Sequence, residues 1–373
     1  MSLVTVYRAD DYSPEVMDDI VARHFEALGI AADLKPHMRV LIKPNLLTAK
    51  RPEFAVTTNP YLIDAIVRWL QSHNITRLMI ADSPGGPYVS ASLKNVYSSC
   101  GLRTPDCEPF LNYDTSWQSV PSPEGFVCRS FNIITPICEA DYIINAAKLK
   151  THSMTAFSAA TKNLFGAVPG LQKPEMHYRY AGIYDFCGMI TELARVVAPQ
   201  VSIIDAVDAM EGNGPSGGRV RHTGLTLASR DVFALDLFAA NLMGIPPKSA
   251  FLRRIADESL AFPKDIELAG CAVTPFSPPF MLPDSMSETL FGNFPSVIRK
   301  PLLAAGKKFL RPIPRIDDNK CVGCGKCAES CPSKTIRVEN GRAHISRRTC
   351  ISCFCCQEMC PVGAVIIKRK FNY

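Results

Sequence analysis

One cysteine spacing occurs twice in the C-terminal part of this chain and limits what that part can become. It runs Cys321-x2-Cys324-x2-Cys327-x3-Cys331-Pro332, then Cys350-x2-Cys353-x2-Cys356-x3-Cys360-Pro361. Three close cysteines on a tight loop turn their sulfurs inward and hold three corners of a cubane. The fourth, set before a proline, points away and ligates the other cluster. The spacing therefore predicts one [4Fe–4S] cluster on Cys321, Cys324, Cys327 and Cys360. It predicts a second on Cys350, Cys353, Cys356 and Cys331. Structural zinc uses two separated Cys-x2-Cys pairs and does not match two triplets with proline-flanked partners. A radical-initiating Cys-x3-Cys-x2-Cys run is absent, because Lys334 and Gly363 stand where its last cysteine would be.

The surroundings of these cysteines read as a small α+β module of the bacterial two-cluster ferredoxin type. Thr335–Val338 and Ala343–Ile345 are β-rich runs joined through Asn340-Gly341, a strong hairpin signal. Val365–Lys368 is the matching strand after the second motif. Cys355 is one cysteine more than the clusters need, and its reading is loop packing.

Of 15 cysteines, the six outside this region are scattered. Scattered thiols beside thiolate ligands imply a reducing compartment rather than a disulfide framework. The first residues carry no basic segment followed by a long apolar one, so no signal peptide is expected. No run of 18 apolar residues occurs, and Val232–Ile245 is too short to span a bilayer. A cytoplasmic protein without a membrane partner follows as the expectation. The formal net charge is +6. Two oxidised clusters, each about −2 with its thiolates, reduce it to roughly +2. With no arginine-rich helix or aromatic-interleaved basic run, no nucleic-acid partner is expected.

Residues 1–271 alternate strand-like and helix-like patterns. Strands are expected at Leu3–Tyr7, Arg39–Lys43, Leu78–Ala81, Phe126–Ile134, Tyr142–Asn145, Val201–Ile204 and Leu225–Ala228. Helices are expected from Pro14, Pro60, Ala91, Asp185 and Phe233, the first with Ser13 as cap and proline at its first position. The order predicts an α/β fold: a mostly parallel sheet with helices on both faces. Residues 272–315 are rich in proline and in lysine and arginine, with a short basic helix expected at Val297–Leu310. They read as a connector to the ferredoxin-type domain, residues 316–373. Its positive charge suits an acidic electron carrier.

Ligands bind outside the carboxyl ends of strands in such sheets. Four strand ends are expected to deliver polar groups to one edge. Lys43 and Asn45 follow one strand, and Asp82 and Ser83 a second. Asn145, Lys148, Lys150 and His152 follow a third, and Asp205, Asp208 and Glu211 a fourth. Lys162 and Asn163, then Lys173 and His177, lie in a connection able to cover them. Catalysis is expected from Lys148, His152 and Asp82, and substrate binding from Lys43, Asn45, Ser83, Asn145, Lys150, Lys162, Asn163, Asp205 and Glu211. Lys43, Asp82, Lys148, His152 and Asp205 are expected in one cleft, where Lys148→Ala or Asp82→Ala would barely change melting. Lysines mixed with carboxylates suit a small anionic ligand, with a divalent cation as a further candidate. Gly212-x-Gly214-x-x-Gly217 matches the dinucleotide fingerprint in form only, because Pro215 interrupts it and a strand follows. Cys187 and Cys271 are the isolated cysteines nearest to a redox role.

The chain resembles a prokaryotic family of unknown function in which a large α/β domain carries a C-terminal bacterial-type ferredoxin. The residues that carry the resemblance are Lys43-Pro44-Asn45, Ala81-Asp82-Ser83-Pro84-Gly85 and Asn145 through His152. Thr161 through Gly166 and Cys350 through Pro361 complete it. It implies iron–sulfur binding and anaerobic-type metabolism and names no substrate. Two functions are compatible with all this. One is an iron–sulfur oxidoreductase delivering electrons to an anionic substrate at the strand ends. The other is an electron-transfer or accessory protein with a ligand- or partner-binding α/β domain. Either needs an electron donor or acceptor, a protein or a small redox carrier. The ferredoxin module is expected to pack near the edge carrying Asp82, Lys148 and Asp205.

Overall fold

The computed structural model describes residues 1–122, 127–258, 265–286 and 312–368. Strands β1 (Ser2–Arg8), β2 (Val40–Lys43), β3 (Leu78–Ile80), β6 (Tyr142–His152), β7 (Ala156–Ser158), β8 (Val201–Glu211), β9 (Arg219–Ser229) and β10 (Ile266–Gly270) form one 8-stranded sheet. Its order is β10-β1-β9-β8-β6-β2-β3, with β7 on β6. β3, β2, β6 and β8 run parallel, and β9 is antiparallel to both β8 and β1. A hairpin of β4 (Trp117–Pro121) and β5 (Ser130–Ile134) lies off this sheet.

Helices cover both faces, as the alternating pattern predicts. On one face α1 (Pro14–Ala27), α2 (Pro60–Ser72) and α3 (Ser90–Ser99) bury Ile20, Phe25, Leu62, Ile66 and Leu93. The other face takes α7 (Ile183–Val197), α8 (Val232–Met243) and α9 (Ala250–Glu258), which bury Phe186, Leu193, Leu235 and Phe251. β6 serves both: Ile144 and Ala146 join the first core, and Ile143, Ala147 and Leu149 the second. Ser13 precedes Pro14 at the start of α1 but makes no side-chain cap bond, whereas two other starts are capped. Asn59 accepts from the Tyr61 N–H at 3.0 Å ahead of Pro60, and Asp231 accepts from Phe233 and Ala234 ahead of α8. α8, the most apolar helix, is buried in this core. Among the described residues no helix is long and apolar enough to cross a membrane.

The structure corrects several boundaries. β6 continues to His152 and β8 to Glu211, so Lys148, Lys150, Asp205 and Asp208 lie within strands rather than after them. β7 and β10, both short, and β4, whose residues are largely exposed, lack the apolar runs that mark a strand in sequence. The Gly212–Gly218 turn joins two antiparallel strands, which excludes a dinucleotide fold there. Residues 272–286 are not a free linker. The Phe276 and Phe280 N–H groups bond to Leu242 and Met243 carbonyls, and Phe280 is buried. The expected basic helix at Val297–Leu310 lies outside the described residues, as do Arg299, Lys300 and Arg311.

The cysteine-rich module is small and β-rich. β11 (Ile313–Ile316) pairs antiparallel with β14 (Val365–Lys368), and β12 (Ile336–Glu339) with β13 (Arg342–Ile345) across the Asn340-Gly341 turn. β11 therefore places the start of this sheet inside the stretch expected to be connector. Two single-turn helices, α10 (Lys326–Glu329) and α11 (Cys355–Glu358), follow the two cysteine triplet starts.

Candidate functional site

Most of the predicted polar residues do gather at the carboxyl edge of the sheet, in two layers. The deeper layer consists of ion pairs. Lys43 Nζ lies 2.7 Å from Asp82 Oδ1, both buried, while Asp82 Oδ2 accepts the Leu46 N–H at 2.8 Å. Burial pushes the Lys43 ammonium below its ordinary range in spite of Asp82. Gly166 packs directly on this pair, where an added Cβ would collide with Asp82 Oδ1 and Lys43 Nζ. Lys148 Nζ lies 2.8 Å from Asp205 Oδ2 and 2.9 Å from the Tyr12 hydroxyl. Tyr12 donates to Asp205 Oδ1, and Asp205 Oδ2 also accepts the Asn59 N–H.

These contacts correct part of the expected site. Lys148 and Asp205 saturate one another and do not line the cleft that holds His152. Glu211 sits farther out, bonded to Arg219 and Arg221, and Asp208 pairs with His222. A relay of amides ties the floor together. Lys150 Nζ donates to Asn45 Oδ1 at 2.9 Å and to the Val56 carbonyl at 2.7 Å. Asn45 donates to Asn163, Asn163 to Asn145, and Asn145 to the Ala160 carbonyl and Ser202. Asn145 is thus a support beneath the site.

The upper layer is the cleft. Asn45, Asp82, Ser83, Lys150, His152, Lys162, Asn163, Lys173 and His177 line it, together with Leu47, Phe165 and Pro215. Lys162 sits on the short helix α5 (Ala160–Asn163), whose first N–H groups are held by the buried carboxylate of Asp236 at 2.8 and 2.9 Å. Burial pushes the Asp236 carboxyl up to about 7. The Lys162 ammonium faces the Phe165 ring at 5.6 Å and has no hydrogen-bond or ion-pair partner among the described residues. Lys173, on α6 (Gln172–Arg179), donates to Ser83 Oγ at 3.1 Å and the Pro84 carbonyl at 3.2 Å. His177 stacks on Phe186 at 4.2 Å, and its buried Nδ1 is unpartnered. Burial lowers Lys150 and Lys173 to about 7 and His177 to about 3.

The remaining wall comes from the cysteine-rich module: Cys355, Glu358 and Met359 line the same cleft. Met359 lies against Gly85, where a Cβ would strike its sulfur. Ser153 donates to Gln357 Oε1 at 2.9 Å, Gln357 Nε2 donates to the Asn213 carbonyl at 3.0 Å, and Lys50 donates to the Pro361 carbonyl. His152 Nδ1 accepts from the Met154 and Thr155 N–H groups, so the ring proton belongs on Nε2. Nε2 stands 3.1 Å from Glu358 Oε1, a charge contact too poorly aligned to count as a hydrogen bond for either atom. Burial holds His152 down to about 4. His152, Lys162 and His177 together outweigh the burial of Glu358 and bring it to about 2. The pair is a neutral imidazole facing a carboxylate.

Glu358 is the residue that reading the sequence missed. A carboxylate two positions from Cys356 and from Cys360 was the available signal, since a polar side chain there must face something other than iron. The module docks on the cleft that Asp82 lines, as expected, whereas Lys148 and Asp205 do not line that cleft. Cys187 is buried with its thiol pushed up to about 12, which makes it inert, and Cys271 lies outside the cleft.

Cys321, Cys324, Cys327 and Cys360 line one hollow. Burial pushes the Cys356 thiol well above its ordinary range, and the neighbouring Cys353, Cys350, Cys331 and Cys327 add to it. Backbone N–H groups of Thr335, Ser352 and Ala364 point at the sulfurs of Cys331, Cys350 and Cys360 at 3.1 to 3.4 Å. Donors of this kind suit cluster thiolates. No three His, Cys, Asp or Glu side chains converge on one point among the described residues. Cubane ligands stand at separate corners and need no such convergence.

The family described as a domain of unknown function, DUF362, matches residues 40–241. The family described as a 4Fe-4S dicluster domain matches residues 313–361. Thylakoid-associated protein sll1697 of Synechocystis sp. is 35% identical over 224 residues, 59% of this chain and 67% of that protein. Ferredoxin-2 of Desulfomicrobium norvegicum is 43% identical over 28 residues, 8% of this chain and 48% of the ferredoxin. Among solved structures, the lactate racemase apoprotein of Thermoanaerobacterium thermosaccharolyticum gives a TM-score of 0.41 at 15% identity. That alignment covers 65% of this chain and 57% of the racemase, a likeness too distant to carry an inference.

Proposed function

Because the chain belongs to the DUF362 family and carries a 4Fe-4S segment with an iron–sulfur electron-transfer role, we propose that it is an oxidoreductase delivering electrons to a small anionic substrate in the cleft. One observation carries this reading: Cys355, Glu358 and Met359, interleaved with the ligand candidates Cys353, Cys356 and Cys360, form a wall of the cleft lined by Lys150, Lys162 and Lys173. A carrier that only relayed charge would have no use for three lysines gathered at that point.

In this reading two clusters are held, one by Cys321, Cys324, Cys327 and Cys360 and one by Cys350, Cys353, Cys356 and Cys331. When bound they supply one-electron transfer. Cys324 is exposed, whereas Cys331, Cys350 and Cys356 are buried. An external electron donor thus meets the first group, and the second adjoins the cleft. The chain's own residues do the rest. Lys162 and Lys173 hold the anion, and the amide relay from Lys150 to Asn145 keeps the floor rigid. Lys43–Asp82 and Lys148–Asp205 position the strand ends. His152 carries its transferable proton at Nε2, facing Glu358 at the cleft wall.

The experiment is anaerobic. Protein reduced with dithionite and freed of excess reductant is mixed with small organic anions, and the visible absorbance is followed. Reoxidation by one anion class, lost in Lys162→Met, supports the enzyme. Reoxidation by artificial acceptors and protein carriers alone supports the electron-transfer alternative.

A further inference from the structure

The groups at the bottom of the cleft are closed off from solvent. Lys150 and His152 are each 1% exposed, Asn163 2% and Lys162 8%. No ligand reaches Lys162 unless one wall moves, and most walls are pinned. Lys150 and His152 belong to β6 and Asn45 follows β2, both inner strands of the sheet. The Ser83 and Gly85 N–H groups bond to the Gly166 and Leu47 carbonyls. Cys355, Glu358 and Met359 lie between the ligand candidates Cys353 and Cys360, and Ser216 Oγ bonds the Gln357 and Glu358 carbonyls at 3.2 and 3.1 Å. The remaining wall is α6, which contributes Lys173, Pro174 and His177. Of its eight residues only His177 is fully buried, and Met176 packs partly on the core.

We propose that α6 is the lid of the cleft. It lifts about Gly170 at one end and Ala181 and Gly182 at the other to admit a ligand, and on closing sets Lys173 and His177 upon it. Both ends suit a hinge. Gly170 stands at φ +29° against the neighbouring loop, where an added Cβ would come within 2.5 Å of the Gly86 oxygen and 2.8 Å of the Tyr88 nitrogen. Ala181 and Gly182 are exposed and lie between α6 and α7. Among the described residues few side-chain bonds fasten the helix: Lys173 to Ser83 Oγ and the Pro84 carbonyl, and Asn132 Nδ2 to Gln172 Oε1 at 2.9 Å. A surface helix with one fully buried side chain and so few bonds opens at low cost, as the lid of a binding site must. The closed seat also leaves His177 Nδ1 buried without a partner, a cost that a ligand bonded there removes. His177 meets the Phe165 ring at 5.7 Å between centroids, and Lys162 faces the same ring at 5.6 Å. Closure thus gathers the imidazole of the lid and the ammonium of the floor around one ring. The lid rests on the reading of the cleft as a ligand site, but not on electrons passing to that ligand.

The test uses the cluster-loaded full chain under anaerobic conditions and reads access to Cys355, a buried thiol that lines the cleft and is not among the ligand candidates. Iodoacetamide labelling of Cys355 is timed by peptide mass spectrometry, beside hydrogen exchange of the same protein. Two variants loosen the lid. Gly170→Ala wedges its first hinge against Gly86 and Tyr88, and Lys173→Met removes the bonds to Ser83 and Pro84. Residues 171–181 should exchange at least about tenfold faster than residues 186–194 of α7. Either variant should speed both that exchange and the labelling of Cys355 about tenfold, the equivalent of one lost hydrogen bond. Exchange at 355–361, the visible absorbance and the labelling of Cys187, buried in α7 outside the cleft, should stay at the wild-type level. Exchange of 171–181 as slow as that of α7 overturns the proposal, as does Cys355 labelling unmoved in both variants. Faster labelling that tracks exchange at 355–361 also overturns it, because the cysteine-rich module is then the door. A lid that behaves as expected on a protein that no small anion reoxidises stands while the oxidoreductase reading falls. Reoxidation by an anion with Cys355 labelling unmoved does the reverse.

Discussion

His152 Nε2 stands 3.1 Å from Glu358 Oε1, and this contact joins the last residue of the central strand β6 to the helix between two cluster-ligand candidates. Because Nδ1 is fixed by two backbone N–H groups, the imidazole cannot turn away without breaking them. His152→Ala should keep the iron content and loosen the module. Hydrogen exchange at residues 355–361 should rise in the variant. Unchanged protection there would mean that Ser153, Gln357 and Lys50 hold the module by themselves.

The buried ion pairs carry a second prediction. Asp82→Ala leaves the buried Lys43 ammonium without its counter-charge, bonded only to the Pro44 carbonyl, and removes the acceptor of the Leu46 N–H; Lys148→Ala leaves the buried Asp205 carboxylate without its counter-charge, held only by Tyr12 and the Asn59 N–H. Breaking such a pair costs about 3–5 kcal/mol. Both variants should therefore melt several degrees lower, the opposite of what the sequence alone suggested for them. Differential scanning calorimetry decides, and melting points within a degree of the parent would show that the pairs contribute little.

The architecture was legible because its signals are local. Apolar runs and the proline helix starts at Pro14 and Pro60 marked the layers, and the cysteine spacing marked the module. The site was legible only in outline. Lys148 and Lys150 are charged, so β6 was expected to stop at Asn145, although pairing with β2 and β8 carries it on to His152. Which lysine meets a carboxylate depends on register, and no spacing rule supplies that: Asp82 and Asp205 are claimed, while Lys162 has no ion-pair partner among the described residues. Glu358 was hidden because its partner, His152, lies far from it in sequence.

Asp236 carries a pH prediction. Its carboxyl is raised from 3.8 to about 7 by burial, so between those values the folded chain binds a proton that the unfolded chain does not. This contribution favours the fold fully below about pH 4 and is lost as pH rises through 7, a change on the order of 4 kcal/mol. Asp236→Asn should flatten the wild-type stability profile between pH 4 and 7. Parallel profiles for the two proteins in denaturant titrations would contradict it.

Cross-ligation makes the cluster assignment sharp. Reconstituted protein should hold about eight iron atoms in two cubanes. Cys331→Ala should reduce this towards half, removing the cluster of Cys350, Cys353 and Cys356 and sparing the one nearer in sequence. Iron analysis with electron paramagnetic resonance checks both, and loss of the Cys321, Cys324 and Cys327 cluster would reverse the assignment.

The central claim is that the cleft and the cluster of Cys350, Cys353, Cys356 and Cys331 share a wall. A redox titration followed by electron paramagnetic resonance, with and without a saturating cleft ligand, tests it most directly. An anion bound beside one cluster should shift the midpoint of that cluster and leave the other in place, and the shift should vanish in Lys162→Met. Two midpoints unmoved at saturation would contradict the account.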